Sequence, residues 1–212
     1  MLASEVWPVR LLRLLFGGLA VLAVGAQFGR EVVLPGFSPV NFFSYFTILS
    51  NSAAGLFLIG LALAPGRNRA RLAEWLRGAM TVYLATTGIV YAVLLDTGEL
   101  GLTLPWVNAV LHRVIPIVLF VDWLAVCPQC RVDYGKALAW IGVPMLYLVY
   151  SLTRGVVVDW YPYPFLQPVE VGGPAGVLLH ILGIAVGIAA VSLLVAWAGN
   201  VRVRASQMRA AA

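Results

Sequence analysis

The feature that most constrains this chain is a recurrence: an apolar run close to the ~20 residues needed to cross a bilayer returns again and again along its length. The runs cover residues 9–28, 41–63, 75–95, 106–125, 137–153 and 175–197. Hydrocarbon offers a peptide group no hydrogen-bond partner, so each run is expected to close its own backbone bonds as a helix. The fold class that follows is all-α, a polytopic membrane protein whose six transmembrane helices form one domain over residues 1–212. Composition agrees: 61% of residues are hydrophobic and 11% charged, whereas a soluble domain carries roughly 25% charged residues. The first run resembles a secretory signal, but Gly25-Ala26-Gln27 makes a poor cleavage site and five more spans follow, which favours a retained helix.

The net charge of +5 comes from 13 arginines and the lone Lys136. On alternate sides of the spans these fall unevenly. Arg10, Arg13, Arg67, Arg69, Arg71, Arg77, Arg131, Lys136, Arg202, Arg204 and Arg209 lie on one side, against Arg30 and Arg154 on the other. The positive-inside rule then predicts cytoplasmic termini. Spread over loops in this way, the basic residues form no nucleic-acid patch. The preference for arginine, with much Ala, Gly, Val and Leu, fits a GC-rich bacterial chain and hence a multi-pass protein of the cell inner membrane. Arg113 falls inside the fourth run, where a charge is costly unless it meets a cavity or a partner.

Polar residues gather at one depth. Counted from the outer ends of their runs, Thr47, His112 and His180 each lie roughly 8–10 Å deep at ~1.5 Å per residue. Thr86, Thr87 and Tyr91 of the third run, and Tyr147, Tyr150 and Ser151 of the fifth, reach the same layer. Ser44, Thr47 and Asn51 are spaced i, i+3, i+7 and are expected on one helix face; Asn108 and His112 are spaced i, i+4. Hydroxyls and amides commonly knit membrane helices together, which is the plain account of Ser44, Asn51 and Asn108. An ionisable histidine within hydrocarbon points instead to function. A threonine hydroxyl needs a base within hydrogen-bond reach to attack a carbonyl, and Thr47 with His112 would make such a pair. Asp122 lies ten residues further along the same run, about 15 Å away, too far to orient His112. Asn108, one turn from His112, is the candidate orienting group. Asn51, Asn108, Arg113 and Tyr91 are candidate oxyanion donors.

Three patches carry a resemblance. Asn41-Phe42-Phe43-Ser44-Tyr45-Phe46-Thr47-Ile48-Leu49-Ser50-Asn51 resembles the signature of bacterial six-pass proteins related to the androgen-induced protein and the androgen-dependent TFPI-regulating protein. Asn108-Ala109-Val110-Leu111-His112 with the downstream Asp122 is similar to that family's Asn-x-x-x-His stretch, and Tyr163-Pro164-Phe165-Leu166 to its Tyr-Pro-Phe-Leu loop. The resemblance implies a membrane threonine hydrolase acting on fatty acid esters of hydroxy fatty acids, with Thr47 as nucleophile and His112 as its partner. Two positions depart from the pattern: Arg113 stands where animal members carry a small polar residue, and Pro116 sits one residue earlier.

The resulting expectation is an intramembrane lipid-ester hydrolase that needs no cofactor and no metal. Thr47 and His112 are its catalytic residues, and Ser44, Asn51, Tyr91, Asn108, Arg113 and His180 line its substrate pocket. A rival reading makes His112 and His180 axial ligands of one b-type haem, and a third makes the chain a non-catalytic lipid-binding protein. Cys127-Pro128-Gln129-Cys130 has the spacing of a redox pair or half a metal site, but it sits without other Cys or His nearby, which favours reduced, structural thiols. The aromatic and proline-rich stretch 160–165 reads either as an interfacial belt or as a rigid cover over a pocket. Asp122 is expected to snorkel or meet a basic residue, and Gly17, Gly18, Gly25, Gly183 and Gly187 to serve close helix packing.

Overall fold

The computed structural model of the protein describes residues 7–64, 71–95 and 104–211. Six helices long and apolar enough to cross a membrane account for it: α1 (Trp7–Glu31), α2 (Phe46–Leu63), α3 (Arg71–Leu95), α4 (Pro105–Ala125), α5 (Tyr134–Val158) and α6 (Pro174–Ala210). No strand occurs among the described residues. Arg67 and Arg69 of the basic turn lie outside them.

The second span departs from the expected single helix over 41–63. A short helix, Pro39–Phe42, comes first, capped by Ser38, whose hydroxyl accepts from the Asn41 amide. The chain then turns extended at Tyr45, and α2 begins at Phe46. Ser44 therefore does not share a helix face with Thr47 and Asn51. Its hydroxyl donates back to the Val40 carbonyl at 2.6 Å, while its carbonyl accepts from the Tyr147 hydroxyl at 2.9 Å. Those two bonds hold the break that sets Thr47 in the first turn of α2.

α1 and α2 approach closely where Gly17 faces Gly55, each so near that a Cβ on either would crowd the other's carbonyl oxygen. Gly18, Gly25, Gly183 and Gly187 meet nothing within 4 Å, so the expected role in close packing holds only for Gly17 among the five. α3 packs against α2, α4 and α6. α5 leans on α6 through its first turns, Tyr134–Leu138 and Ala139–Ile141, and beyond Gly142 its Met145, Leu148 and Leu152 share an apolar cluster with Ile181 and Ile184 of α6.

The end of the bundle that carries Arg13 holds a buried ionic cluster. Arg13 donates two bonds to Asp122, at 2.7 and 3.0 Å, and Arg77 reaches the same carboxylate at 3.2 Å and Glu74 at 3.0 Å. Arg77 also donates to the Val126 carbonyl at 2.8 Å, and its guanidinium lies 4.8 Å from the centre of the Trp123 ring. Arg13 and Arg77 are buried to within 2% of full enclosure. The sequence counted both among the basic residues on one side of the spans. Burial is tolerable because two cations meet two carboxylates with well-formed hydrogen bonds.

Candidate active site

Thr47 and His112 come together at the opposite end. Thr47 is the second residue of α2, a position whose backbone N–H has no partner within the helix. His112 sits in a π-helical turn, Val110–Val114, that interrupts α4 just before Pro116. Such turns rotate the following side chains relative to a regular helix and are frequent at functional sites. Gly88 of α3 makes room for this turn, since a Cβ there would stand 3.0 Å from the His112 carbonyl oxygen. The result is a 3.2 Å contact between Thr47 Oγ1 and His112 Nε2, with both residues buried.

The far side of the imidazole is equally defined. His112 Nδ1 lies 2.7 Å from Asn108 Oδ1, and Asn108 Nδ2 donates to the Tyr91 hydroxyl at 2.7 Å. Nδ1 also lies 3.2 Å from the Asn108 backbone carbonyl, which can only accept, so Nδ1 carries the proton and the amide turns its oxygen toward it. That leaves the Nε2 lone pair directed at the Thr47 hydroxyl. Tyr91, in a second π-helical turn, Tyr91–Leu95, stacks on the imidazole with ring centres 4.1 Å apart and planes 21° from parallel. The ring is thus fixed by a hydrogen bond at one edge and an aromatic face on one side.

The pair opens onto an apolar cavity. Thr86, Thr87 and Val90 of α3, Tyr147 and Leu148 of α5, and Ile184 and Ile188 of α6 form its walls. Its cover is the 3₁₀ turn Pro164–Leu166 with Tyr163 ahead of it. Tyr163 stacks on Phe165 at 5.1 Å and packs edge-on against Tyr45. Its hydroxyl accepts from the Thr47 backbone N–H at 3.3 Å and lies 3.4 Å from Thr47 Oγ1. A loop tyrosine thereby supplies the cap that α2 lacks from its own Tyr45. Of the two readings of stretch 160–165, the structure places its second half as a cover. Tyr163 was quoted in the sequence as part of the loop signature but not as a site residue; the proline on either side of it was the available sign of a rigid projection.

None of the six residues expected to line the substrate pocket does so: Asn51, Asn108 and Tyr91 stand against Thr47 or His112, and Ser44, Arg113 and His180 lie elsewhere. Asn51 donates its amide to the Thr47 and Leu111 carbonyls, at 3.0 and 3.2 Å, and so ties α2 to α4. Asn108 and Tyr91 stand behind the histidine. Ser44 contacts the Tyr150 hydroxyl at 2.7 Å, outside the cavity. Arg113 points to the exposed face of α4. His180 is half-buried, bonded through Nδ1 to the Gly176 carbonyl and stacked on Phe165, and unlike His112 it does not line the cavity. The two histidines therefore do not face one space, as shared haem ligation requires. Cys127 and Cys130 are both free, and burial pushes the Cys127 thiol up, away from an activated thiolate.

Comparison with protein-family models, with curated proteins and with solved structures finds no match to this chain.

Proposed function

We propose that this protein is an intramembrane ester hydrolase with Thr47 as nucleophile and His112 as general base and then acid. The observation that carries the reading is the 3.2 Å contact between the Thr47 hydroxyl and the unprotonated edge of an imidazole whose other edge is held by Asn108. In this reading Thr47 Oγ1 forms a bond to the ester carbonyl carbon as its proton moves to Nε2. The carbonyl electron pair shifts to oxygen, then returns as the alcohol leaves with the proton from Nε2. Water repeats the sequence on the acyl-threonine and releases the fatty acid. Thr47 lies at the positive end of the α2 dipole, which favours the charge that develops there.

The apolar cavity walls suit an acyl chain. The resemblance noted in the sequence adds fatty acid esters of hydroxy fatty acids as the substrate class. The basic-residue count adds cytoplasmic termini and the inner membrane, so that the site lies in the outer leaflet. A reporter fused after Arg209 is expected to read as cytoplasmic and one inserted between Gly172 and Gly173 as external.

The test of function is release of free fatty acid from a branched fatty acid ester in mixed micelles. Wild-type protein is expected to release it, with Thr47→Val and His112→Ala impaired together, as parts of one unit. Wild-type turnover by Thr47→Val would overturn the assignment.

A further inference from the structure

None of the four oxyanion donors expected from the sequence lines the cavity: the Asn51 amide serves two carbonyls, the Asn108 amide reaches Tyr91, Tyr91 stacks on the imidazole away from the cavity, and Arg113 lies on the exposed face of α4. Tyr147 lines the cavity but donates its hydroxyl to the Ser44 carbonyl. The hydroxyl seen to touch the Thr47 side chain from the cavity side is that of Tyr163.

We infer that Tyr163 is the oxyanion donor of the hydrolase: its O–H, 3.4 Å from Thr47 Oγ1, turns to the carbonyl oxygen of an ester attacked by that threonine. The inference rests on the Thr47–His112 reading above and adds a third catalytic group to it. In the resting site the Tyr163 oxygen accepts from the Thr47 N–H, so its one proton remains available to donate. When Thr47 donates its own proton to His112, Oγ1 is left to accept that of Tyr163. When Oγ1 bonds to carbon, its acceptor strength falls, and the new oxyanion forms two bonds away across the attacked carbon, next to a phenol that already touches Oγ1. The phenol is well buried, and burial pushes its pKa up, so it keeps its proton through the neutral range. Stacking on Phe165 and the edge contact with Tyr45 fix the ring before substrate arrives, which is where the advantage of a preorganised donor lies.

The experiment uses full-length protein in mixed micelles, with 4-nitrophenyl decanoate and the matching thionoester, whose carbonyl sulfur is a poor hydrogen-bond acceptor. Tyr163→Phe is expected to lower kcat on the oxoester by roughly 10²- to 10³-fold with little change in KM. The thionoester rate should fall far less. Equal slowing of both substrates would mean that Tyr163 only positions Thr47, and would overturn the inference. So would a wild-type oxoester rate, or a thionoester ratio that collapses in Thr86→Val instead, since the Thr86 hydroxyl is buried without a partner beside the same cavity. If Thr47→Val is inactive while Tyr163→Phe is normal, the donor assignment alone fails. If Thr47→Val is fully active, the nucleophile fails and the donor with it. Should Tyr163→Phe not fold, 3-fluorotyrosine at position 163 keeps the ring and acidifies the phenol. The oxoester rate should then shift more than the thionoester rate, and equal shifts would again overturn the inference.

Discussion

Helix α4 carries a polar residue toward each end of the bundle, and the two ends treat polarity differently. Around Asp122 all the principal groups are charged and matched: two guanidiniums, two carboxylates and a tryptophan face close on one another. Around His112 every group is neutral or held in one protonation edge, and one basic nitrogen faces a hydroxyl at the wall of a cavity. The first arrangement joins α1, α3 and α4 and closes on itself, with the Arg77 Nε–H left without a partner among the described residues. The second leaves chemical capacity directed at empty space. Buried polarity in a membrane bundle is therefore not in itself a sign of function; what separates the two clusters is whether a reactive atom faces a volume that a substrate can occupy.

Variants at the two ends should consequently fail in different ways. The largest effect is expected at the neutral site: His112→Ala should lower ester hydrolysis by roughly 10²- to 10⁴-fold, with helix content and monodispersity in detergent unchanged. If both His112→Ala and Thr47→Val aggregate instead, the pair is structural and the contrast collapses. At the charged end, Asp122→Ala should destabilise the fold by about 3–5 kcal/mol, because it leaves two buried cations short of a partner. Thermal unfolding in detergent measures this, and the hydrolysis rate per folded molecule should stay near wild type. A selective loss of turnover would show that the two clusters communicate.

Two smaller effects sharpen the boundary of the neutral site. Asn108→Ala removes the shorter of the two bonds that hold the Nδ1 proton and leaves the one to its own backbone carbonyl. A net hydrogen bond of about 0.5–1.5 kcal/mol corresponds to a roughly two- to twelvefold fall in kcat. KM should not move. His180→Ala should change turnover least, within about the twofold scatter expected of a residue whose polar contact is to its own helix, at Gly176. A Soret band from purified wild-type protein, lost in His180→Ala, would instead favour the haem reading.

The sequence carried the six spans because apolar length alone specifies a membrane helix. It also carried Thr47, His112 and Asn108 as a group, since depth and the i, i+4 rule follow from helical geometry. What it did not carry depended on the chain folding back on itself. Arg13 and Asp122 are 109 positions apart, and hydropathy registers each only as an interruption, so their pairing had no local sign. Thr47 and Tyr163, 116 positions apart, meet only because a proline-bounded loop projects over the start of α2. Continuous apolar character across 41–63 likewise concealed the break at Phe43–Tyr45, which tyrosine hydroxyls from α5 stabilise. The length of α6, which runs well past residue 197, reflects a helix free to continue beyond hydrocarbon.

The central claim is that Thr47 is a nucleophile activated by His112, and covalent capture tests it most directly. An unassisted threonine hydroxyl hardly reacts at neutral pH, so a fluorophosphonate that labels it reports a neighbouring base. Peptide mapping by mass spectrometry is expected to place the adduct on Thr47 in wild-type protein, with labelling greatly reduced in His112→Ala and absent in Thr47→Val. An adduct on another hydroxyl, or undiminished labelling of His112→Ala, would contradict the account.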